Sequence, residues 1–542
     1  LHLKIALCDV SPLTTCPRDT DTCDKKYIPR FCVSIKHRPA RGKYDPEKIR
    51  VVSLGCNVKG ACQPFPDCDD VESNILGAKH RYLRLTPKIC AAELHSFRGF
   101  VRMLLRRFFK PLDAHDPNFE WPNYIEHLRD AGYSTRQIED YDRAHEELET
   151  GDYSRLYELK GHTKPEFYPE YKHNRMINAR NMKFRALLGP VAHAMEAYIY
   201  DFEIRGHKVF IKHVPVSERA RYIIQNTSPG SAVYETDHSA FEAHMAPQVM
   251  ECCEVALYRY LLKNHPRRSF VMEHIVKALV GINKSVHNGF VTRCRGRRMS
   301  GDMVTSLGNG FTNMCVLAYT LYRCGYNYDD CDFFVEGDDG VTQVSVPLAS
   351  GGRRLPHEGD FKNLGFEVKM AKRSSFAEST FCTIVADEQV GEVLIDPAEA
   401  LVKFGWTFSN DKLNPKLHKQ LLHAKALSLL CEAPACPIVR ALADYGIRVT
   451  RGVAPRFDRL ERWWTSQLEL TDGHIAYCLS KSVDARSRYV VEHEFGVPIA
   501  LQLHVERYLA GLESLRALDD PIILSMMKPV WFHYYDNHSM RF

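Results

Sequence analysis

The sequence contains nothing near the roughly 18 consecutive apolar residues that a membrane-crossing helix needs, so no segment reads as a membrane span. Its 18 cysteines include no CxxC pair, which removes the commonest zinc and thiol-redox signatures. Seven of them (Cys8, Cys16, Cys23, Cys32, Cys56, Cys62 and Cys68) crowd the first 68 residues at irregular spacings that suit free or structural thiols better than a metal cluster. Internal repeats, Ser/Gly linkers and low-complexity blocks are also missing, which argues against solenoids and strings of independent domains. Nor is charge of one sign dominant. Against 67 Asp+Glu, 72 Lys+Arg leave a net +5, too small an excess to decide for or against a polyanionic partner. There is no signal peptide and no initiating Met, so the chain reads as a processed product or a fragment of a longer reading frame.

What is present is a globular composition, 45% hydrophobic and 26% charged over 542 residues, enough for more than one core. Over 91–110 the spacing predicts an amphipathic helix, with Phe97, Val101, Leu104, Leu105 and Phe108 on one face. Arg98, Arg102 and Arg106 recur on another, either as a solvated face or as a stripe facing nucleic acid. Residues 120–160 are charged and helical in pattern. Short apolar runs around Tyr234, Phe333 and Phe366 read as strands. Beyond about residue 395 the pattern is mostly helical, with turns at Pro434, Gly446 and Pro455. Irregular alternation of strands and helices predicts an α+β fold, not a repeated parallel βαβ winding.

Three short segments carry chemistry. In Phe333-Phe334-Val335-Glu336-Gly337-Asp338-Asp339-Gly340-Val341, apolar runs flank two acids at a glycine turn, the pattern of a tight β-hairpin with carboxylates at its tip. Acids at a turn are usually only solvated, and this segment alone proves nothing. Tyr234-Glu235-Thr236-Asp237 leads from a strand to a second acid, with Glu242 five residues on. Asp237 can be a helix N-cap, or it can face Asp338 across neighbouring strands and share hard divalent cations with it. Phosphoryl transfer to a ribose 3′-hydroxyl uses a pair of such ions about 3.5–4 Å apart. Between the two lies Ser300-Gly301-Asp302-Met303-Val304-Thr305-Ser306-Leu307-Gly308-Asn309. It is a Ser-Gly turn into a helix that places Thr305 and Asn309 on one face, with Gly301 allowing close backbone approach. Asn309 offers a donor and an acceptor to a ribose hydroxyl. Arg293, Arg295, Arg297 and Arg298 form a basic run suited to phosphates.

In this order the three segments resemble motifs A, B and C of RNA-dependent RNA polymerases of positive-strand RNA viruses, most closely the tombusvirus-like and nodavirus-like groups. Lys164-Pro165-Glu166, Lys172 and Arg175-Met176-Ile177-Asn178-Ala179-Arg180 are similar to the basic motif F, although by themselves they would pass for a surface charge run. Gly189-Pro190 fits the same wording. Leu364-Gly365-Phe366-Glu367-Val368-Lys369, with Lys372, resembles motif D, and Ser379-Thr380-Phe381-Cys382 resembles motif E.

The resemblance implies a right-handed palm polymerase: fingers over 1–230 and 255–298, a palm with an antiparallel sheet over 231–254 and 299–390, and a mostly helical thumb over 391–542. It implies template-directed transfer of nucleoside monophosphates from NTPs to the 3′-hydroxyl of RNA. Asp237, Asp338 and Asp339 would hold Mg²⁺ (Mn²⁺ can substitute). Lys164, Lys172, Arg175 and Arg180 would line the nucleotide path. Ser300, Gly301, Thr305, Asn309 and Glu242 would handle ribose and template, and Lys369 or Lys372 would protonate the pyrophosphate, with Lys369 the one carried forward. The implied partners are template and nascent RNA, NTPs and, through an upstream region, other viral replication proteins and host membranes in a cytoplasmic replication complex.

Glu242 departs from the pattern, since the second acid of motif A is usually Asp. A reverse transcriptase would carry an aromatic ribose gate and lack SGxxxTxxxN, a silent RNA-binding scaffold would have lost an acid, and a metal-dependent sugar transferase leaves motifs B and F unexplained.

Overall fold

The computed structural model describes residues 32–35, 50–227, 232–238, 240–344, 352–374, 376, 379, 381–383, 385–386, 389, 391–409, 414–457, 460 and 468–538. Cys8, Cys16, Cys23 and Thr380 lie outside the described residues. In chain order the elements that position the site are β1 (Cys32–Ile35), α1 (Ala91–Phe108), β2 (Leu159–Thr163), β3 (Met176–Arg180), α2 (Val216–Gln225), β4 (Ala232–His238), α3 (Glu254–Leu261), β5 (Ile282–Val286), β6 (Phe290–Arg295), α4 (Thr305–Arg323), β7 (Cys331–Glu336), β8 (Asp339–Val344), β9 (Val368–Arg373), α5 (Pro415–Glu432), α6 (Val439–Val449) and α7 (Asp472–Ser480). The fold is mixed α and β, as the irregular alternation predicts.

Among the described residues up to 373, the two larger sheets organise the chain. One has five strands in the order β1-β6-β5-β2-β3, and the other has four in the order β7-β8-β4-β9, antiparallel throughout. Successive side chains on a strand point to opposite faces, and each face of the four-stranded sheet finds its own cover. Tyr234, Phe333, Val335, Val344 and Val368 pack into the main core against α3 and α4. On the other face Val233, Phe334 and Val341 pack against Ala220 and Ile223 of α2. Helix α4 is buried continuously from Leu307 to Leu321, which explains its run of apolar and small residues.

Beyond residue 396 the described chain is largely helical. Its core also takes in Leu54, Cys56, Val58 and Ala61, which pack with Leu401, Leu442, Leu518 and Trp531. Cys56 is therefore a packing residue, and burial pushes its thiol up to about 12. Two local expectations change. Phe366 follows a turn over 363–365, with Gly365 at φ +85°, and the strand starts at Val368. Gly446 lies inside α6: a Cβ there would meet Phe404 Cζ and Ala426 Cβ at 2.7 Å, so glycine serves close helix packing and not a turn. Among the described residues, no helix is long and apolar enough to cross a membrane.

Candidate active site

Strand register assembles the site. β9 pairs with β4 so that Lys369 stands opposite Asp237, and β7 pairs with β8 so that Glu336 stands opposite Asp339. One step beyond the Gly340–Thr236 pair, Asp339 and Asp237 also come side by side. Directly opposed residues project from the same face. Glu336, Asp339, Asp237 and Lys369 thus form one row across the end of the sheet, on the face away from α4. Lys372 pairs with Tyr234, three residues along and so on the other face, which separates the two motif D lysines. Asp237 is a strand residue; the following helix, Phe241–His244, begins after Ala240 at φ +64° with no side-chain cap. The N-cap alternative is removed.

Asp338 sits in a two-residue turn beside Gly337, whose φ of +61° supplies the left-handed conformation that such a turn demands. From beneath, Asn313 of α4 reaches the backbone carbonyls of Gly337, Asp338 and Asp339 at 3.3, 3.0 and 3.0 Å. Its own carbonyl lies 3.3 Å from Nε2 of His238, the residue after Asp237. Burial pushes His238 down to about 3, so the ring is neutral and Nε2–H donates. Asn313 therefore ties the acidic turn to the strand carrying Asp237. It is one helical turn beyond Asn309, and sequence reasoning passed it over.

The carboxylates raise one another. Asp338 is exposed, yet protein stands around it and displaces the outer solvent. That desolvation, with the Glu242 carboxylate, lifts it to about 6. Asp339 rises to about 7 through desolvation and the charges of Asp338 and Asp237, although the Cys382 thiol donates to it. The oxygens of Asp237, Asp338 and Asp339 do not all close to within 4.8 Å of one another, an open arrangement that like charges favour. Hard oxygen donors held ready against their own repulsion fit divalent cations.

Cations face this cluster. Arg81 grips Glu242 Oε1 through Nε (3.0 Å) and Nη2 (2.7 Å), and Asp338 bears on its charge as well. No motif announced Arg81. Glu166 gathers Lys164 at 2.9 Å and Arg175 at 3.2 Å, and Lys172 lies over the Tyr168 ring at 4.3 Å. Arg175 is exposed and its charge reaches Asp338.

Several predicted residues make bonds within the protein, and Arg180 is one of them. It is buried, paired with Asp302 at 2.5 Å, and donates to Ala278 O and Asn283 Oδ1 at 2.9 Å each, binding β3 to the loop before α4. Gly301 lets that loop touch β3, since a Cβ would lie 2.6 Å from Asn178 O. Ser300 Oγ donates to Met176 O, and Thr305 Oγ1 to Met299 O, holding the turn closed. Glu242 and Asn309 make no hydrogen bond to each other: Glu242 is taken by Arg81, and Asn309 Oδ1 accepts from Arg298 Nε at 2.9 Å. Arg297 and Arg298 are buried and contribute no exposed basic patch, leaving Arg293 exposed in that run. Arg98, Arg102 and Arg106 line, with Arg259, Lys263 and Arg268, a cleft of about 670 Å³. It lies behind the sheet: α1 stacks Phe97 and Phe100 on Tyr319 of α4, roughly 21 Å along the helix from Thr305.

The family model for viral RNA-dependent RNA polymerase matches residues 170–432, a span holding every member of the carboxylate row and Asn313. An RNA-directed RNA polymerase of Oat chlorotic stunt virus (isolate United Kingdom) is 29% identical over 185 residues, covering 31% of this chain. The match takes in 24% of that relative's length. Residues 170–432 are thus similar to the viral RNA-dependent RNA polymerase family, and that span holds the hairpin of paired acids, the strand acid and the lysine opposite it.

Proposed function

We propose that the chain copies RNA, joining nucleoside monophosphates from NTPs to the 3′-hydroxyl of a growing strand on an RNA template. The observation that carries this reading is the row Glu336–Asp339–Asp237–Lys369 beside the Asp338 turn, with Arg81 and Arg175 opposite. In this reading the four-stranded sheet is the palm, the five-stranded sheet belongs to the fingers, and the C-terminal helices form the thumb. Asp237 and Asp338, with Asp339, would hold two Mg²⁺ ions, which when bound activate the attacking hydroxyl and stabilise the leaving pyrophosphate. Arg175 and Arg81 offset the triphosphate's charge, and Arg81 keeps the Glu242 carboxylate from opposing it. Lys369, exposed on the row's own face, is placed to give a proton to the pyrophosphate. Asn313 keeps the turn from splaying when the acids repel.

The test is incorporation of labelled NTPs by purified chain on homopolymer templates with Mg²⁺ or Mn²⁺, with and without primer. Complementary, template-dependent incorporation is expected. Addition without a template, or none with either metal, would defeat the reading.

Proton competition should show in metal binding. Because Asp338 and Asp339 are raised to about 6 and 7, their protonated forms favour the metal-free fold at low pH, and that contribution is lost as pH rises through these values. Cations need the ionised forms. The rise in unfolding temperature on adding Mg²⁺ should therefore be largest near pH 8 and fade between about pH 7 and 6. A Mg²⁺ effect that stays constant from pH 8 to 5.5 would place the ion elsewhere.

A further inference from the structure

Three metal-ligating side chains converge in the C-terminal helices, away from the carboxylate row. Cys431 lies on α5, while His474 and Cys478 are four apart and so share one face of α7. One ligand atom from each lies within 4.8 Å of the other two. Cys478 Sγ is 3.4 Å from His474 Nε2. Bonds of about 2.3 Å to sulfur and 2.0–2.1 Å to nitrogen make the corresponding tetrahedral edge roughly 3.5 Å. Both thiols are wholly buried. The other ring nitrogen, Nδ1, faces the Glu469 carboxylate at 3.9 Å, the outer partner that commonly orients a metal-bound histidine.

We propose that Cys431 Sγ, Cys478 Sγ and His474 Nε2 bind one Zn²⁺, with the fourth position facing Ser217. Ser217 Oγ lies 3.3 Å from His474 Nε2, leaving room there for that hydroxyl or a water. Binding releases the two thiol protons to solvent and changes no oxidation state. The ion would fasten α5 and α7 at the start of α2. From α2 Arg219 reaches Glu336 of the carboxylate row at 3.6 Å. The role is structural, a staple between the C-terminal helices and the helix lying over the catalytic sheet.

The full chain, purified from zinc-replete medium, should contain about one zinc that survives dialysis. Exchange with Co²⁺ should give the visible bands of a tetrahedral site and a thiolate charge-transfer band. Cys431→Ser and Cys478→Ser should each lose the metal, while His474→Cys keeps it. Alkylation mapped by mass spectrometry on the unmodified sequence does not depend on variants folding. There Cys431 and Cys478 should be protected until a chelator is added, then react together. A zinc-free chain with no cobalt spectrum, zinc retained in both serine variants, unchanged alkylation on chelation, or a Cys431–Cys478 disulfide in non-reducing peptide maps would each overturn the proposal.

Discussion

Asp338→Asn should lower nucleotide incorporation by at least about 10³-fold, because metal stabilisation of transition-state charge is worth several kcal/mol. The substitution keeps the side chain's size, and the turn is held through backbone carbonyls that Asn retains. What changes is the charge. An amide removes one anionic ligand and one of the charges that, together with desolvation, lift Asp339 to about 7, so Asp339 should titrate somewhat closer to an ordinary carboxyl. RNA affinity should stay within about threefold of the parent, since it rests mainly on cationic side chains. The checks are single-turnover incorporation and filter binding of a labelled template on the same preparation. Incorporation within about tenfold of the parent would remove Asp338 from the metal site; lost RNA binding would show that the turn had collapsed.

Arg298→Met should destabilise the chain by about 3–5 kcal/mol, the cost typical of leaving one buried charge without its partner. Arg298 and Glu254 are wholly buried and joined at 2.5 Å, and the remaining hydrogen bond to that carboxylate comes from Tyr258 at 3.0 Å. Nothing nearby can yield: a Cβ on Gly308 would fall 2.1 Å from Glu254 Oε2. Removing the guanidinium therefore strands a carboxylate between α3 and α4 and leaves Asn309 without its donor. The double variant Arg298→Met/Glu254→Met should recover at least half of the loss, because the stranded charge is gone. Urea unfolding of the parent, Arg298→Met, Glu254→Met and the double variant completes the cycle. A single variant within about 1 kcal/mol of the parent would show that the pair is not what holds this joint.

The parts of the site that were legible were those whose cause is local. A glycine between a strand and two acids specifies its own turn, so the Asp338 hairpin could be read from nine residues. Asp237 needed only the order of the motifs. Arg81 was hidden because its partner lies 161 residues away and nothing near it in the chain records that meeting. Asn313 was hidden for another reason: in a helix buried along 15 consecutive positions, a polar residue gives no contrast of faces. The pairing of Arg180 with Asp302 was hidden in the same way as that of Arg81, since the two lie 122 residues apart; alternate burial along β3 is what turns Arg180 inward. The join between residues 54–61 and the last helices had no signature at all, since apolar residues do not name their partners.

That join bears on how the chain is made. Leu54, Cys56 and Val58 leave the ribosome long before Trp531 and Leu518, which share their core. At about 5–20 residues per second, synthesis of the intervening chain takes roughly 25–95 s. Throughout that interval these side chains are without their final cover, while both sheets can already pair. The helices that follow cannot finish without the segment that came first. Loss of the first sixty residues would therefore open the core of the C-terminal helices from within, at the opposite end of the sequence from the cut.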